Sequence, residues 1–88
     1  MVFFSLTKQG LDEILDTAFS REAALWVNHG LLQAPDLERL RADGFDLTNF
    51  TRWVDPADQA EIESAVETIN EHHPGQVLYI EWSRQQTT

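Results

Sequence analysis

His29, Arg52 and Glu81 each stand at or near the end of a short apolar segment. An imidazole, a guanidinium and a carboxylate in one place would supply a general base, a cation and an acid. We call these three the strand-end set, because they share one edge only if the apolar segments are parallel strands. Polar residues also end strands simply because strands end at the surface, so a structural role for all three stays open.

Other patterns for catalysis or metal binding are missing from the sequence. The chain has no cysteine, no G-x-S-x-G or S-x-x-K motif, and only scattered glycines that form no phosphate loop. His72 and His73 are adjacent, and neighbouring helical side chains point about 100° apart, which makes them poor ligands for one metal ion. We expect them to interact with the C-terminal dipole of their helix. The sequence thus predicts no cofactor and no metal site, and it favours a non-enzyme.

Glu63, Glu67 and Glu71 recur every four residues in a segment with helical periodicity. This spacing places three carboxylates, which we call the acidic stripe, on one face of a helix. Like charges at this spacing destabilise a helix by about 0.2–0.5 kcal/mol per pair. The stripe is therefore a candidate binding face for a basic partner, although selection for solubility explains it as well. Trp53 and Trp82, near predicted strand ends, are candidate aromatic contacts for the same partner.

The hydrophobic pattern predicts alternating strands and helices. Apolar runs predict strands at residues 2–6, 23–28, 45–50 and 77–82, of which the first is ambiguous because it is short and terminal. Helical periodicity predicts connections at residues 7–19, with residue 10 as an alternative start, and at residues 35–43 and 56–73. The order (β)αβαβαβ predicts an α/β fold, with helices packed on a small sheet of three or four mostly parallel strands. An α+β fold with an antiparallel edge strand is the alternative.

Two turn signals mark helix ends. Asp55 and Pro56 predict the N-cap and first residue of the third helix. Gly44 predicts the left-handed position that ends the second helix. The buried stripe predicted for the third helix, opposite the acidic stripe, consists of Ile62, Ala65, Val66 and Ile69.

Length, charge and hydropathy restrict the class of protein. The 88 residues predict a single domain, 1–88, in which residues 83–88 form a frayed polar tail. Fifteen acidic against six basic residues give a net charge of −9, which argues against direct binding to nucleic acid or an anionic membrane. The sequence shows neither a signal peptide nor a membrane-spanning run. We therefore expect a soluble cytoplasmic protein without disulfides.

Part of the chain resembles a known family. Residues 25–31, LWVNHGL, followed by residues 37–47, LERLRADGFDL, are similar to the opening strand and helix of small PIN-like toxin-associated domains. This resemblance implies a metal-binding aspartate at the end of that strand, where this chain has Asn28. An amide is a much weaker ligand for Mg²⁺ than a carboxylate, so nuclease activity does not carry over.

These patterns lead to three functional hypotheses. The leading one is a small acidic, non-catalytic interaction or regulatory protein, such as an inhibitor, immunity protein or nucleic-acid mimic, that binds a basic surface through the acidic stripe. The first alternative is a small-molecule or catalytic site around the strand-end set. The second is self-association, in which an exposed edge strand at residues 45–50 or 77–82 pairs with its copy in a homodimer.

Overall fold

The computed structural model describes residues 1–17 and 20–81. Within these residues the strands are β1 (Val2–Ser5), β2 (Ala24–Val27), β3 (Asp46–Asn49) and β4 (Leu78–Ile80). The helices that connect them are α1 (Lys8–Leu15), α2 (Ala34–Ala42) and α3 (Gln59–His72). The order βαβαβαβ confirms the predicted α/β fold. Trp82 and the predicted tail, residues 83–88, lie outside the described residues.

The four strands form one sheet in the order β3-β2-β1-β4, and every neighbouring pair is parallel. The ambiguous first run is therefore a strand, and it occupies the interior of the sheet. β2 is also interior, as its nearly continuous apolar sequence predicts. The α+β alternative with an antiparallel edge strand is wrong, because both edge strands of the described sheet, β3 and β4, run parallel to their neighbours.

Helices cover both faces of the sheet, because alternate residues of each strand point to opposite sides. Between the sheet and α3 the buried core contains Val2, Phe4, Leu6, Ala24, Trp26, Val54, Ala65 and Ile69. On the face that α1 and α2 cover, the buried core contains Phe3, Leu11, Ala23, Leu25, Val27, Leu32 and Leu47. Of the stripe predicted for α3, Ala65 and Ile69 are buried, while Ile62 and Val66 are partly exposed.

The start of α3 differs from the prediction. The N-cap is Asp58, whose side chain accepts hydrogen bonds from two backbone N–H groups of the first turn. Asp55 instead accepts from the backbone N–H of Ala57 at 2.9 Å, and its carbonyl accepts from the N–H of Asp58 at 3.0 Å. Pro56 fits the second position of this turn as well as it fits a first helical turn. Two aspartates three residues apart can both cap a helix, and the second one does.

The sequence predicts the end of α2 but not the end of α1. α1 ends at Leu15, earlier than predicted, and both the backbone N–H and the hydroxyl of Thr17 donate to the carbonyl of Ile14, at 3.0 Å and 2.7 Å, which closes the last turn in the tighter 3₁₀ pattern. Residues 18 and 19 lie outside the described residues. α2 ends as predicted, with Asp43 as its C-cap and Gly44 at φ +98°, a conformation that favours glycine.

Candidate functional site

The strand-end set lies along the carboxyl edge of the sheet, but its members do not meet. Because β1 separates β2 from β4, the ends of those two strands are about 10 Å apart. His29 has its Nδ1 atom 3.0 Å from the carbonyl oxygen of Phe50, and Arg52 lines a groove beside α3. Among the described residues no hydrogen bond or ion pair joins His29, Arg52 and Glu81. The structure therefore gives a shared catalytic site at these residues no support.

Glu81 holds the end of β1 and the start of α1. Its carboxylate accepts hydrogen bonds from the backbone N–H groups of Leu6 at 2.7 Å and Thr7 at 2.8 Å, and from the hydroxyl of Thr7 at 2.5 Å. Thr7 is the N-cap of α1, and its hydroxyl oxygen also accepts from the N–H of Gly10 at 3.1 Å. A negative charge at this helix end interacts favourably with the macrodipole. Glu81 therefore has a structural role in the folded chain.

The same carboxylate lies where open α/β sheets hold anionic ligands. Such sheets bind in the crevice at which the strand order reverses, and anions sit on the helix N-terminus there. Here β2 and β3 follow β1 on one side and β4 returns on the other, so the reversal lies between β1 and β4. Glu81 occupies this position from within the chain.

Gly10 makes this arrangement possible. A Cβ atom at Gly10 would overlap the carboxylate of Glu81, so a larger residue would have to displace this carboxylate from its hydrogen bonds to Leu6 and Thr7. Glycine inside a helix normally destabilises it by about 0.5–1 kcal/mol relative to alanine. In the sequence, this contact is indicated only by an isolated glycine within a helical pattern. Such a glycine indicates close packing but does not identify the residue that packs against it.

Asn28, the residue at which the PIN-like resemblance implies an aspartate, is fully buried. Its Nδ2 atom donates to the carbonyl oxygens of Leu6 at 3.0 Å and Val54 at 2.7 Å. Its Oδ1 atom accepts from the backbone N–H groups of His29 and Val54, both at 2.8 Å. These bonds use the whole donor and acceptor capacity of the amide. Asn28 thus ties together three segments of the chain and has no free atom for a metal ion.

The acidic stripe lies on the solvent face of α3, and all three of its glutamates are exposed. In the described part of the chain the ion pairs are Lys8 with Asp12 at 2.6 Å and Arg39 with Asp36 at 3.0 Å. Both pairs lie on other helices. The stripe is therefore not neutralised by any described cation.

A groove of about 300 Å³ runs between α3 and the segment that precedes it. Its lining includes Phe50, Arg52, Trp53, Glu61, Ser64 and Thr68. Trp53 is 51% exposed and is therefore accessible to a partner, whereas the sequence alone leaves its exposure undecided. Ser64 and Thr68 lie about 100° around the helix from the acidic stripe. The groove therefore lies beside the stripe, on the side of α3 that faces Trp53.

The two histidines pack at the C-terminal end of α3. The Nδ1 atom of His72 lies 2.9 Å from the carbonyl oxygen of Thr68, within the last turn. His73 is the C-cap, and its Nε2 atom accepts a hydrogen bond from the Nε1–H group of Trp26 at 3.0 Å. Trp26 is only 5% exposed, as expected for a core residue. No group of three possible metal-ligating residues occurs in residues 1–17 and 20–81.

Replacing His73 by phenylalanine keeps an aromatic ring but removes the acceptor for the indole N–H group of Trp26. We expect the free energy of unfolding to fall by about 1–3 kcal/mol, because the N–H group is left buried without a partner. The matched variant His72→Phe keeps the ring that lies 5.3 Å from that of Trp26 and loses only an exposed hydrogen bond to Thr68, so it should cost less than about 1 kcal/mol. Urea unfolding followed by circular dichroism measures both, and equal losses would contradict this role of His73.

No described helix is long and apolar enough to cross a membrane. No protein-family model matches the chain, and neither the curated proteins nor the solved structures contain a significant match. The likeness to PIN-like domains therefore remains a resemblance of two short segments.

Proposed function

We propose that this protein is a small, non-catalytic interaction protein that binds a basic partner surface through the acidic stripe. The observation that carries this proposal is the exposure of three glutamates on α3 with no described cation paired to them. Lysines or arginines of a partner would supply the missing countercharges. An inhibitor, an immunity protein and a mimic of nucleic acid would all use a face of this kind.

Electrostatics give the proposed mechanism. A net charge of −9 attracts a basic partner over a distance, and the stripe orients it at close range. The countercharges also relieve the repulsion between glutamates at neighbouring turns, which stabilises the helix in the complex. Because salt screens charges separated by more than about 10 Å at 0.1 M ionic strength, association should slow as salt rises.

Trp53 offers the aromatic contact that such an interface needs. Its indole is half exposed at the groove, which lies beside the stripe. Tryptophan is enriched among the few residues that contribute most of the binding energy in protein interfaces. A partner that lies across α3 would meet carboxylates on one side and Trp53 on the other.

The carboxyl edge of the sheet supports binding over catalysis as the role of this chain. The strand-end set is spread over separate contacts, and Glu81 is committed to Leu6 and Thr7. At the reversal point of the sheet, where open α/β sheets hold an anion, the same carboxylate already occupies the N-terminus of α1.

The variant Glu63→Gln/Glu67→Gln/Glu71→Gln tests the proposal. We expect partner binding to weaken about 10- to 100-fold, because three exposed ion pairs contribute about 0.2–1 kcal/mol each. Capture from a native lysate identifies the partner, and calorimetry of the purified pair measures its affinity. Misfolding would not explain a loss, because removing the like charges should keep the melting temperature or raise it.

A matched control has the same charge change at another place. Glu13→Gln/Asp16→Asn/Glu22→Gln also removes three exposed carboxylates, but none of them lies on α3. We expect this control to retain most of the affinity. Equal weakening in the two variants would show that only net charge matters, and unchanged binding in both would reject the acidic stripe.

A further inference from the structure

The outer edge of β4 lacks the features that normally protect an edge strand. Val77, Tyr79 and Ile80 are exposed by 61%, 51% and 40%. Residues 77–80 contain no charged residue and no proline, although natural edge strands commonly carry lysine, proline or a bulge to prevent pairing. The side chains of this edge therefore do not prevent another strand from pairing with it.

The backbone of β4 also presents free groups in a regular pattern. The N–H of Val2 donates to the carbonyl of Val77 at 2.9 Å, and the N–H of Glu81 donates to the carbonyl of Phe4 at 3.0 Å. Alternate residues of a strand direct both backbone groups to the same neighbour, so the intervening Leu78 and Ile80 direct theirs away from β1. Within the described chain no residue lies on that side of β4 in the sheet.

We propose that β4 pairs in antiparallel fashion with β4 of a second copy of this chain, across a two-fold axis at Tyr79. In this register Leu78 lies opposite Ile80 of the second copy, and each such pair exchanges two backbone hydrogen bonds. Tyr79 lies opposite its own counterpart as a pair without backbone hydrogen bonds. The two four-stranded sheets become one continuous sheet.

Self-complementarity is the reason to choose a second copy as the occupant. Leu78 and Ile80 each offer one N–H and one C=O at a spacing of two residues, and a two-fold rotation matches every donor to an acceptor. Apolar side chains are exposed on both faces of β4, so the same rotation places apolar groups against apolar groups. The uncharged residues 78–80 therefore pair with themselves, and Val77 lies opposite Glu81, whose carboxylate is bonded to Leu6 and Thr7 of its own chain.

A groove beside β4 can accommodate the Tyr79 side chains of the two copies. It measures about 500 Å³, lies between α1 and β4, and is lined partly by Phe3, Ile14 and Tyr79. The ring of Tyr79 stacks on Phe3 with centroids 5.1 Å apart. A two-fold axis perpendicular to the sheet keeps both α1 helices on the same face, so the two grooves join and the two tyrosines fill them. Ile80 meets the second copy on the opposite face.

The β4 dimer does not depend on the proposed function, and its dependence on salt distinguishes the two. Each copy carries a net charge of −9, and Glu13 lines the groove and would approach its counterpart. Salt screens this repulsion, so the dimer should become more stable as salt rises. Binding through the acidic stripe should show the opposite dependence.

Cysteine cross-linking tests the register. The chain has no cysteine, so Tyr79→Cys introduces a single thiol. At the proposed axis the two Cα atoms would be about 4.5 Å apart, within the range of a disulfide. In Val77→Cys the two Cα atoms would be about 14 Å apart, which is too far. In a glutathione redox buffer we expect at least about tenfold more disulfide-linked dimer from Tyr79→Cys than from Val77→Cys.

Sedimentation of the unmodified chain tests the dimer itself, from about 10 µM to about 1 mM and at low and high salt. We expect a dimer fraction that rises with concentration and with salt. Tyr79→Lys places like charges at the axis and should raise the dissociation constant at least about tenfold. Asp46→Asn makes the same change of one charge on the exposed edge of β3 and should leave it unchanged. A monomer throughout, equal cross-linking at Val77, or a dimer insensitive to Tyr79→Lys would overturn the proposal.

Discussion

Replacing Asn28 by aspartate is expected to lower the free energy of unfolding by about 3–5 kcal/mol at neutral pH. The substitution changes the Nδ2 donor into a carboxylate oxygen that faces the carbonyl oxygens of Leu6 and Val54, now 3.0 Å and 2.7 Å away. The position is 0% exposed, so water cannot separate the negative groups. Two attractive contacts therefore become repulsive ones inside the core.

The size of this effect follows from what Asn28 connects. Leu6 extends β1, Asn28 itself extends β2, and Val54 belongs to the segment between β3 and α3. Both the N–H and the C=O of Val54 bond to the amide of Asn28. The amide therefore fixes the segment between β3 and α3 as a neighbouring strand would, through both backbone groups of one residue. Aspartate still accepts from the N–H groups of His29 and Val54, but it leaves the carbonyls of Leu6 and Val54 without a donor, and each of these costs about 1–3 kcal/mol.

The cost should depend on pH in a defined direction. Burial and the two neighbouring carbonyls raise the pKa of the introduced carboxyl in the folded state above its value in the unfolded chain. The difference from the unmodified protein should therefore be smallest in acid and should grow as the pH rises above about 4, where the unfolded carboxyl ionises. Protonated, the group can still donate one of the two lost hydrogen bonds.

Urea unfolding of both proteins at acid and neutral pH measures this difference. Asn70→Asp makes the same chemical change at an exposed position of α3 and should change the free energy of unfolding by about 0.5 kcal/mol or less. A cost at Asn28 as small as that of the control, or one that does not change with pH, would contradict the hydrogen-bond network described for this residue.

Local signals in the sequence are sufficient for most of the fold. The apolar runs of β2 and β4 and the glycine stop after α2 act over a few neighbouring residues, and each predicted element is present. The start of α3 is less certain from sequence because Asp55 and Asp58 are chemically equivalent caps, and only the surrounding chain decides between them. The lateral order of the strands has no local signal at all.

Because the sequence carries no local signal for strand order, the arrangement of the strand-end set could be predicted only in part. His29 and Glu81 do lie at one edge of a parallel sheet, which the alternation of elements predicts. Their separation depends on β1 lying between β2 and β4, and this is set by pairing between distant parts of the chain. The contact between Gly10 and Glu81 is of the same long-range kind. Exposure of the acidic stripe, by contrast, depends on helical periodicity alone.

Removing the carboxylate of Glu81 is expected to have the second largest effect. Glu81→Ala leaves two backbone N–H groups and the hydroxyl of Thr7 without their acceptor at the start of α1. Hydrogen bonds to a charged group contribute about 1.5–3 kcal/mol, and water can replace part of this at a partly exposed position. We therefore expect the free energy of unfolding to fall by about 2–4 kcal/mol.

Gly10→Ala alone should lower the free energy of unfolding by about 1–3 kcal/mol, because the new methyl group overlaps the Glu81 carboxylate. Helix propensity alone would predict a gain of about 1 kcal/mol from the same change. With Glu81→Ala already present the overlap is gone, so Gly10→Ala should then be neutral or stabilising. Urea unfolding of the two single variants and the double variant should give a combined loss smaller than the sum, by about 1–3 kcal/mol.

Gln9→Ala supplies the control for this cycle, because Gln9 is an exposed neighbour on α1 whose side-chain hydrogen bond is to Glu13. Its effect should add to that of Glu81→Ala within about 0.5 kcal/mol. If the losses from Gly10→Ala and Glu81→Ala added as closely as those of the control pair, the absence of a side chain at Gly10 would not be what accommodates the carboxylate. Strong coupling would instead mean that a matched pair of residues, a small one on α1 and an acidic one after β4, joins β4 to the start of α1 at the reversal point of this sheet.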